Sequence, residues 1–252
     1  MSPSIWTRCA GRSRLRRLAG RAWRVVEYQY LVSTRKLVDS DEEQRVLEEL
    51  IEGVKPPPPS EARGLHFLLY TPFRYPPLTR GSRLRSRLEP GVWYGSRDER
   101  TAFAEVAYYR LLFLEGTTAA LDRLEVDLSA FQAAYLIARG ADLTREPFDG
   151  YREAVSSPTS YAESQPLAAE MRADGVGGAR YFSARDAPGG INVALFTPAA
   201  FVSKKPSALQ TWRCVATRQY VEVSKKDVFS RAAMRFPREQ FLVAGGLPRP
   251  GT

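Results

Sequence analysis

The sequence predicts an α+β fold preceded by a helical annex at its N-terminus. Three observations carry this expectation. Apolar residues recur at spacings of three and four over residues 15–38 and again over 41–51. Four consecutive prolines, Pro56 to Pro59, then end the helical pattern, and beyond them short strand-like runs alternate with a few helices. With 252 residues, 44% of them apolar, the chain is long enough for one large core or for a core with an annex.

Residues 1–14 are basic and expected to be flexible. Leu15, Leu18, Ala22, Val25, Val26 and Tyr30 then recur as one face of a helix running from Leu15 to Val38. A second helix is expected after Ser40-Asp41-Glu42-Glu43, a capping box in which the Ser40 hydroxyl accepts from the Glu43 amide; Val46, Leu47, Leu50 and Ile51 form its apolar face. These two helices make an annex over 15–54, and residues 55–64 form a stiff proline-rich linker. The main body, 65–252, should hold strands at His66 to Thr71, Gly91 to Gly95, Arg123 to Leu128, Arg180 to Ser183, Asn192 to Phe196 and Trp212 to Val223. The lone histidine, His66, is expected to pack beside the strand it opens.

Between Tyr94 and Gly116 lies the most informative helix, with Ser96 and Glu99 as its expected capping box and Gly116 as its stop. From Ala102 to Leu114 only Glu105 and Arg110 are charged, so the helix should be largely buried. Glu105 falls nearly opposite the side shared by Phe103, Val106, Ala107, Arg110 and Leu114, and no Lys or Arg follows it at three or four residues. Burying an unpaired carboxylate costs several kcal/mol, roughly, so donors from elsewhere in the fold, or a cationic ligand, should surround it.

Composition excludes several function classes. The net charge of +9 is concentrated at the N-terminus: residues 1–38 hold nine Lys/Arg against Glu27, a net +8, leaving +1 for the rest. A body so nearly neutral offers no basic surface for nucleic acid, so a nucleic-acid-binding module would have to act through residues 1–38. An Arg-rich, acid-poor start also fits a transit peptide, a partner-binding arm, an extension from a start codon set too early, or a solvated segment. The abundance of Arg, Ala, Gly and Pro is a bias of GC-rich bacterial genomes and weighs against a mitochondrial address. Two distant cysteines, Cys9 and Cys214, support neither a disulfide framework nor a cysteine metal cluster, and the single histidine excludes zinc sites built on two. No apolar run reaches the roughly 20 residues of a membrane-spanning helix, and neither a GxGxxG fingerprint nor a Walker A sequence occurs. A reducing, cytoplasmic setting follows as the expectation.

Upstream of Glu105, the loops carry Arg74-Tyr75, Arg83 and Tyr94 within about thirty residues of it. Arginines offer forked donors suited to a pyrophosphate, tyrosines offer flat faces and hydroxyls, and one carboxylate can stabilise a developing cation. Together they suit an anionic nucleotide that carries a cationic ring.

The strings Thr71-Pro72-Phe73-Arg74-Tyr75, Gly81-Ser82-Arg83, Trp93-Tyr94-Gly95-Ser96 and Thr101-Ala102-Phe103-Ala104-Glu105 resemble the RES domain family, which includes the toxins of Xre/RES toxin–antitoxin pairs. The segments 175–185 and 189–196 resemble its later glycine, aromatic, serine and arginine motif and its glycine, asparagine and phenylalanine strand, so the likeness spans roughly Leu65 to Phe201. The resemblance implies an ADP-ribosyltransferase-like fold of small central β-sheets flanked by helices, and degradation of NAD⁺ by hydrolysis or phosphorolysis. It implies a pocket of Arg74, Tyr75, Arg83, Tyr94, Glu105 and Ser183, with Glu105, Arg74 and Tyr94 in catalysis, no metal, and no cofactor beyond NAD⁺ and, for phosphorolysis, inorganic phosphate. It implies an Xre-type antitoxin that occludes the pocket and carries any DNA contact, and it admits a homodimer within that complex. A mono-ADP-ribosyltransferase acting on a protein is the nearest alternative. Gly81-Ser82-Arg83-Leu84-Arg85 departs from the family's Gly-Gly-Arg-aromatic-Asn by lacking the second glycine and the asparagine.

Overall fold

The computed structural model describes residues 3–28, 38–75, 81–119, 121–186 and 189–250. Its helices are α1 (Ile5–Arg8), α2 (Asp41–Val54), α3 (Phe67–Arg74), α4 (Glu99–Gly116), α5 (Arg152–Val155) and α6 (Ser164–Ala173). Its strands are β1 (Arg16–Glu27), β2 (Trp93–Ser96), β3 (Arg123–Asp142), β4 (Gly178–Phe182), β5 (Ile191–Leu195), β6 (Ser207–Thr217), β7 (Tyr220–Lys225) and β8 (Ala233–Pro237). The α+β expectation holds, but in place of small sheets there is one of eight strands in the order β1-β2-β5-β4-β3-β6-β7-β8. β1 also pairs with β3, so β1, β2, β5, β4 and β3 form a closed circuit from which β6, β7 and β8 extend. Closure removes an unpaired edge that would otherwise template aggregation.

The expected helix over 15–38 is corrected. Residues 16–27 form β1, paired with β3 from Arg16↔Gly140 to Glu27↔Leu128, and Tyr30 lies outside the described residues. Leu18, Ala22 and Val26 satisfy a four-residue spacing, but four is also twice the strand period, and Gly20, Val25 and Val26 favour the strand. The annex therefore is not a separate helical unit, since its first half belongs to the sheet. The flexible terminus is corrected as well. Ile5, Trp6 and Cys9 are buried against Phe148 and Met171, and Trp6 Nε1 donates to Asp174 at 2.7 Å. Cys9 and Cys214 are both buried and free.

α2 matches its expected boundaries: the Ser40 hydroxyl accepts from the Glu43 amide at 3.1 Å. The strand expected at His66 to Thr71 is instead α3, because the His66 ring caps it, Nδ1 accepting from the Leu68 amide at 3.3 Å. The single run at Trp212 to Val223 divides into β6 and β7. Its turn is made by the Thr217 hydroxyl, which accepts from the amides of Gln219 and Tyr220 and so replaces the usual glycine or asparagine. The remaining strands match within a few residues, although β3 runs far past Leu128.

α4 lies against β3, β6, β7 and β8, burying Phe103, Ala107, Tyr108, Leu111 and Leu114 against Leu128, Trp212, Val221 and Phe236. Its N-cap is Asp98 and not Ser96, which belongs to β2 and is buried. Among the described residues no helix is long and apolar enough to cross a membrane.

Candidate active site

Strand register assembles one wall of a cavity of about 270 Å³. Trp23 pairs with Ser96, Ser96 with Asn192, and Asn192 with Tyr181, giving a row across β1, β2, β5 and β4 whose four members all line the cavity. α4 supplies the facing wall through Ala102, Glu105, Val106 and Tyr109, residues at the three- and four-residue spacing that places them on one helical face. This face points away from the apolar contact with β6 to β8, so a single helix both anchors the core and presents a carboxylate.

The expectation that donors from elsewhere surround Glu105 is met. Its Oε1 accepts from Ser183 Oγ and from Asn192 Nδ2, both at 2.7 Å, while Asn192 Oδ1 accepts from Ser96 Oγ at 2.7 Å. Ser183 is itself held by the amides of Arg185 and Asp186, which donate to its hydroxyl at 3.0 and 3.1 Å. Ser96, Ser183 and Asn192 are all buried, so this chain of hydrogen bonds is shielded from water and holds the carboxylate in one orientation. Gly190 closes the structure behind it: a Cβ there would stand 2.6 Å from Thr101 Oγ1 and 2.8 Å from Asp186 Oδ2, which are themselves hydrogen-bonded.

Tyr94 and Arg83 also line the cavity. The Tyr94 hydroxyl accepts from the Leu84 amide at 3.1 Å and meets Ser82 Oγ at 2.8 Å. Ser82, the departure from the family's second glycine, therefore adds a hydrogen bond to the tyrosine. Gly81 keeps a backbone φ of +68° within 2.3 Å, from its would-be Cβ, of the Arg85 carbonyl, a place only glycine fills without strain. Burial pushes the Tyr94 phenol above its ordinary range, so it is protonated at neutral pH. Arg83 is buried, donates from Nη1 to the Val155 carbonyl at 3.0 Å, and lies 5.2 Å from the Tyr161 ring.

Two sequence-derived site residues are not brought to this cavity. Arg74 ion-pairs with Glu52 of α2 at 2.6 Å, and its Nε donates to the Pro56 carbonyl. Tyr75 follows it on the exposed side of the chain, where its carbonyl accepts from Arg85 Nη2 at 3.1 Å. The physical reason is α3: the Arg-Tyr pair ends a helix, not a strand opening onto the sheet, and the Arg74 charge is neutralised before it can reach the cavity.

Arg24, Asn192 and Arg185 are cavity residues that sequence reasoning missed. Counted among the charges of the tail, Arg24 lies on β1, lines the cavity, and donates from Nη1 to the Tyr94 carbonyl at 2.7 Å beside the Trp93 ring. Burial lowers its pKa to about 10, which leaves it cationic at neutral pH. The alternation around Trp23-Arg24-Val25 was the available signal. Asn192 was a polar residue inside the buried run Ile191–Leu195, and that was its signal.

Among the described residues the cavity thus combines three guanidinium groups, Arg24, Arg83 and Arg185, with one carboxylate and a set of aromatic rings. Among the described residues no cluster of His, Cys, Asp and Glu is arranged to hold a metal. No curated protein matches the chain. A sequence model of the RES domain matches residues 58–217, and Arg83, Tyr94, Glu105, Ser183 and Asn192, the residues that build the cavity's polar centre, all fall inside that span. With more than half its length matched, the chain belongs to the RES domain family.

Proposed function

We propose that this chain cleaves the bond between nicotinamide and ribose in NAD⁺ and is the toxin of a type II toxin–antitoxin pair. The observation that carries the reading is the Glu105 carboxylate, oriented by two neutral donors and in no direct ion pair among the described residues, in a cavity that also holds arginines and aromatic rings. Heterolysis of the glycosidic bond returns the bonding electron pair to the pyridinium nitrogen and leaves positive charge on the ribose carbon. A fixed carboxylate attracts that charge more strongly in the transition state than in the ground state. Water or inorganic phosphate then attacks the carbon, and Glu105 steers the nucleophile.

Arg24 and Arg83 take the clamping role on the pyrophosphate that the sequence had placed on Arg74 and Arg83, because they are the guanidinium groups beside Tyr94. The rings of Trp23, Tyr94 and Tyr181 offer stacking faces for the nicotinamide and its ribose. An Xre-type antitoxin covering this cavity would block the reaction by exclusion. The test is NAD⁺ consumption by purified protein. Wild type should release nicotinamide and Glu105→Gln should lose about 10²–10³-fold in rate. Equal turnover by the two proteins would remove Glu105 from the chemistry, and label from adenine-labelled NAD⁺ appearing on protein would move the reaction to ADP-ribosyl transfer.

A further inference from the structure

Arg185 stands apart from the other buried arginines. It is 5% exposed, and its guanidinium lies 3.5 Å from the centroid of the Tyr108 ring. Nη2 donates to the Pro158 carbonyl at 3.2 Å, whereas Nη1 is buried with no hydrogen-bond partner among the described residues. Among the described residues no carboxylate ion-pairs with it; buried Arg83 shares that lack, but Arg83 Nη1 has the Val155 carbonyl as its acceptor, whereas Arg185 Nη1 has none. A buried cation that lacks a counter-ion, and whose donor lacks an acceptor, is incomplete without an anion.

Its placement says which anion fits. Arg185 lines the same cavity as Glu105. Its amide donates to Ser183 Oγ, the hydroxyl that donates to Glu105, and its guanidinium rests on Tyr108, three residues along α4 from that carboxylate, or roughly one turn of about 5 Å. The residue is braced from behind, because Gln240 Nε2 donates to its carbonyl at 2.8 Å and the Tyr108 hydroxyl donates to the carbonyl of Pro248. Residues beyond the family match at 217 thus hold it in place.

We infer that Arg185 is an oxyanion-binding residue of this cavity, its guanidinium receiving a phosphoryl oxygen beside the Glu105 centre. The inference rests on the proposed NAD⁺ reading for the source of that phosphoryl group, which is either the dinucleotide's diphosphate or free phosphate acting as the nucleophile. Binding without turnover separates the two. The full chain and its Arg185→Gln and Arg185→Lys variants are titrated calorimetrically with inorganic phosphate and, separately, with ADP-ribose, and thermal unfolding is recorded for each protein.

Arg185→Gln should weaken at least one of the two ligands by about tenfold or more, and Arg185→Lys should recover part of that loss. A loss confined to inorganic phosphate assigns the nucleophile; a loss confined to ADP-ribose assigns the diphosphate. Unchanged affinity for both in Arg185→Gln overturns the inference. So does wild-type protein that binds neither ligand up to about 10 mM, a result that requires no variant to fold. If wild type binds anions through Arg185 yet leaves NAD⁺ intact, the proposed reaction fails and the anion site stands.

Discussion

Glu105 and Arg74 are both charged side chains held close to apolar surroundings, and the fold treats them in opposite ways. Glu105 receives hydrogen bonds from the neutral groups of Ser183 and Asn192, which fix its direction without cancelling its charge. Arg74 is met by the carboxylate of Glu52, which cancels its charge at the junction of α2 and α3. The difference separates a charge kept for a ligand from a charge used to join two elements. Neutral donors leave a carboxylate attractive to a cation, whereas an ion pair leaves little field outside itself.

The largest effect should come from removing the kept charge. Glu105→Gln preserves shape and an oxygen acceptor for Ser183 and Asn192, so NAD⁺ turnover should fall about 10²–10³-fold while the melting temperature stays within a few degrees. Parallel measurement of nicotinamide release and thermal unfolding checks both halves. A variant that melted much earlier would mean that the carboxylate serves the core.

Next in size is the network behind it. Asn192 bridges Ser96 and Glu105 and is buried, so Asn192→Ala removes the acceptor of the Ser96 hydroxyl and leaves Glu105 Oε1 with the Ser183 donor but not the Asn192 one. Stability should fall by about 1–3 kcal/mol, with a further loss of roughly tenfold in kcat as the carboxylate loosens. Denaturant unfolding and steady-state kinetics on the same preparation distinguish this from a purely structural role, which would lower stability and leave the kcat of the folded fraction intact.

How much of this was legible beforehand follows from the kind of signal each residue leaves. Glu105 stood out because a charge inside an apolar helix has no local partner, and its surroundings could be anticipated as donors without knowing which. Ser183 was reached through family resemblance, whereas Asn192 was visible only as a polar residue within a strand and acquired meaning from the register Ser96↔Asn192↔Tyr181. Arg24 was hidden by a period that helix and strand share at four residues. It was hidden also by β1 pairing with β3 more than a hundred residues away, which local pattern does not encode. Arg74 fits the motif letter by letter, yet its position depends on whether His66 opens a strand or caps a helix.

Arg24 and Arg74 therefore form the sharpest paired test. Arg24→Met should raise KM for NAD⁺ by about tenfold or more, because a cation beside Tyr94 is lost from the cavity. Arg74→Met should leave KM unchanged and lower stability by about 1–2 kcal/mol, since its buried guanidinium holds Glu52 and the Pro56 carbonyl. The reverse pattern would return Arg74 to the cavity and assign the ion pair to a resting arrangement of α2.

The smallest effect should come from the exposed half of that ion pair. Lys55, and after it Arg74, hold the Glu52 carboxyl below its ordinary pKa. A depressed folded-state value means that the contribution is present above the unfolded carboxylate pKa and is lost as pH falls through the folded one. Glu52→Gln should therefore melt no more than about 2 °C below wild type at neutral pH, with the two curves converging under acid, and should turn over NAD⁺ at the wild-type rate. Thermal scans across that pH range, run with and without added salt, check the sign: screening should shrink the neutral-pH gap, because Glu52 is solvent-exposed and its attraction acts partly through water. A gap that widened under acid would mean that the carboxyl is stabilised in its protonated form, and α2 would then be held to the body by something other than this pair.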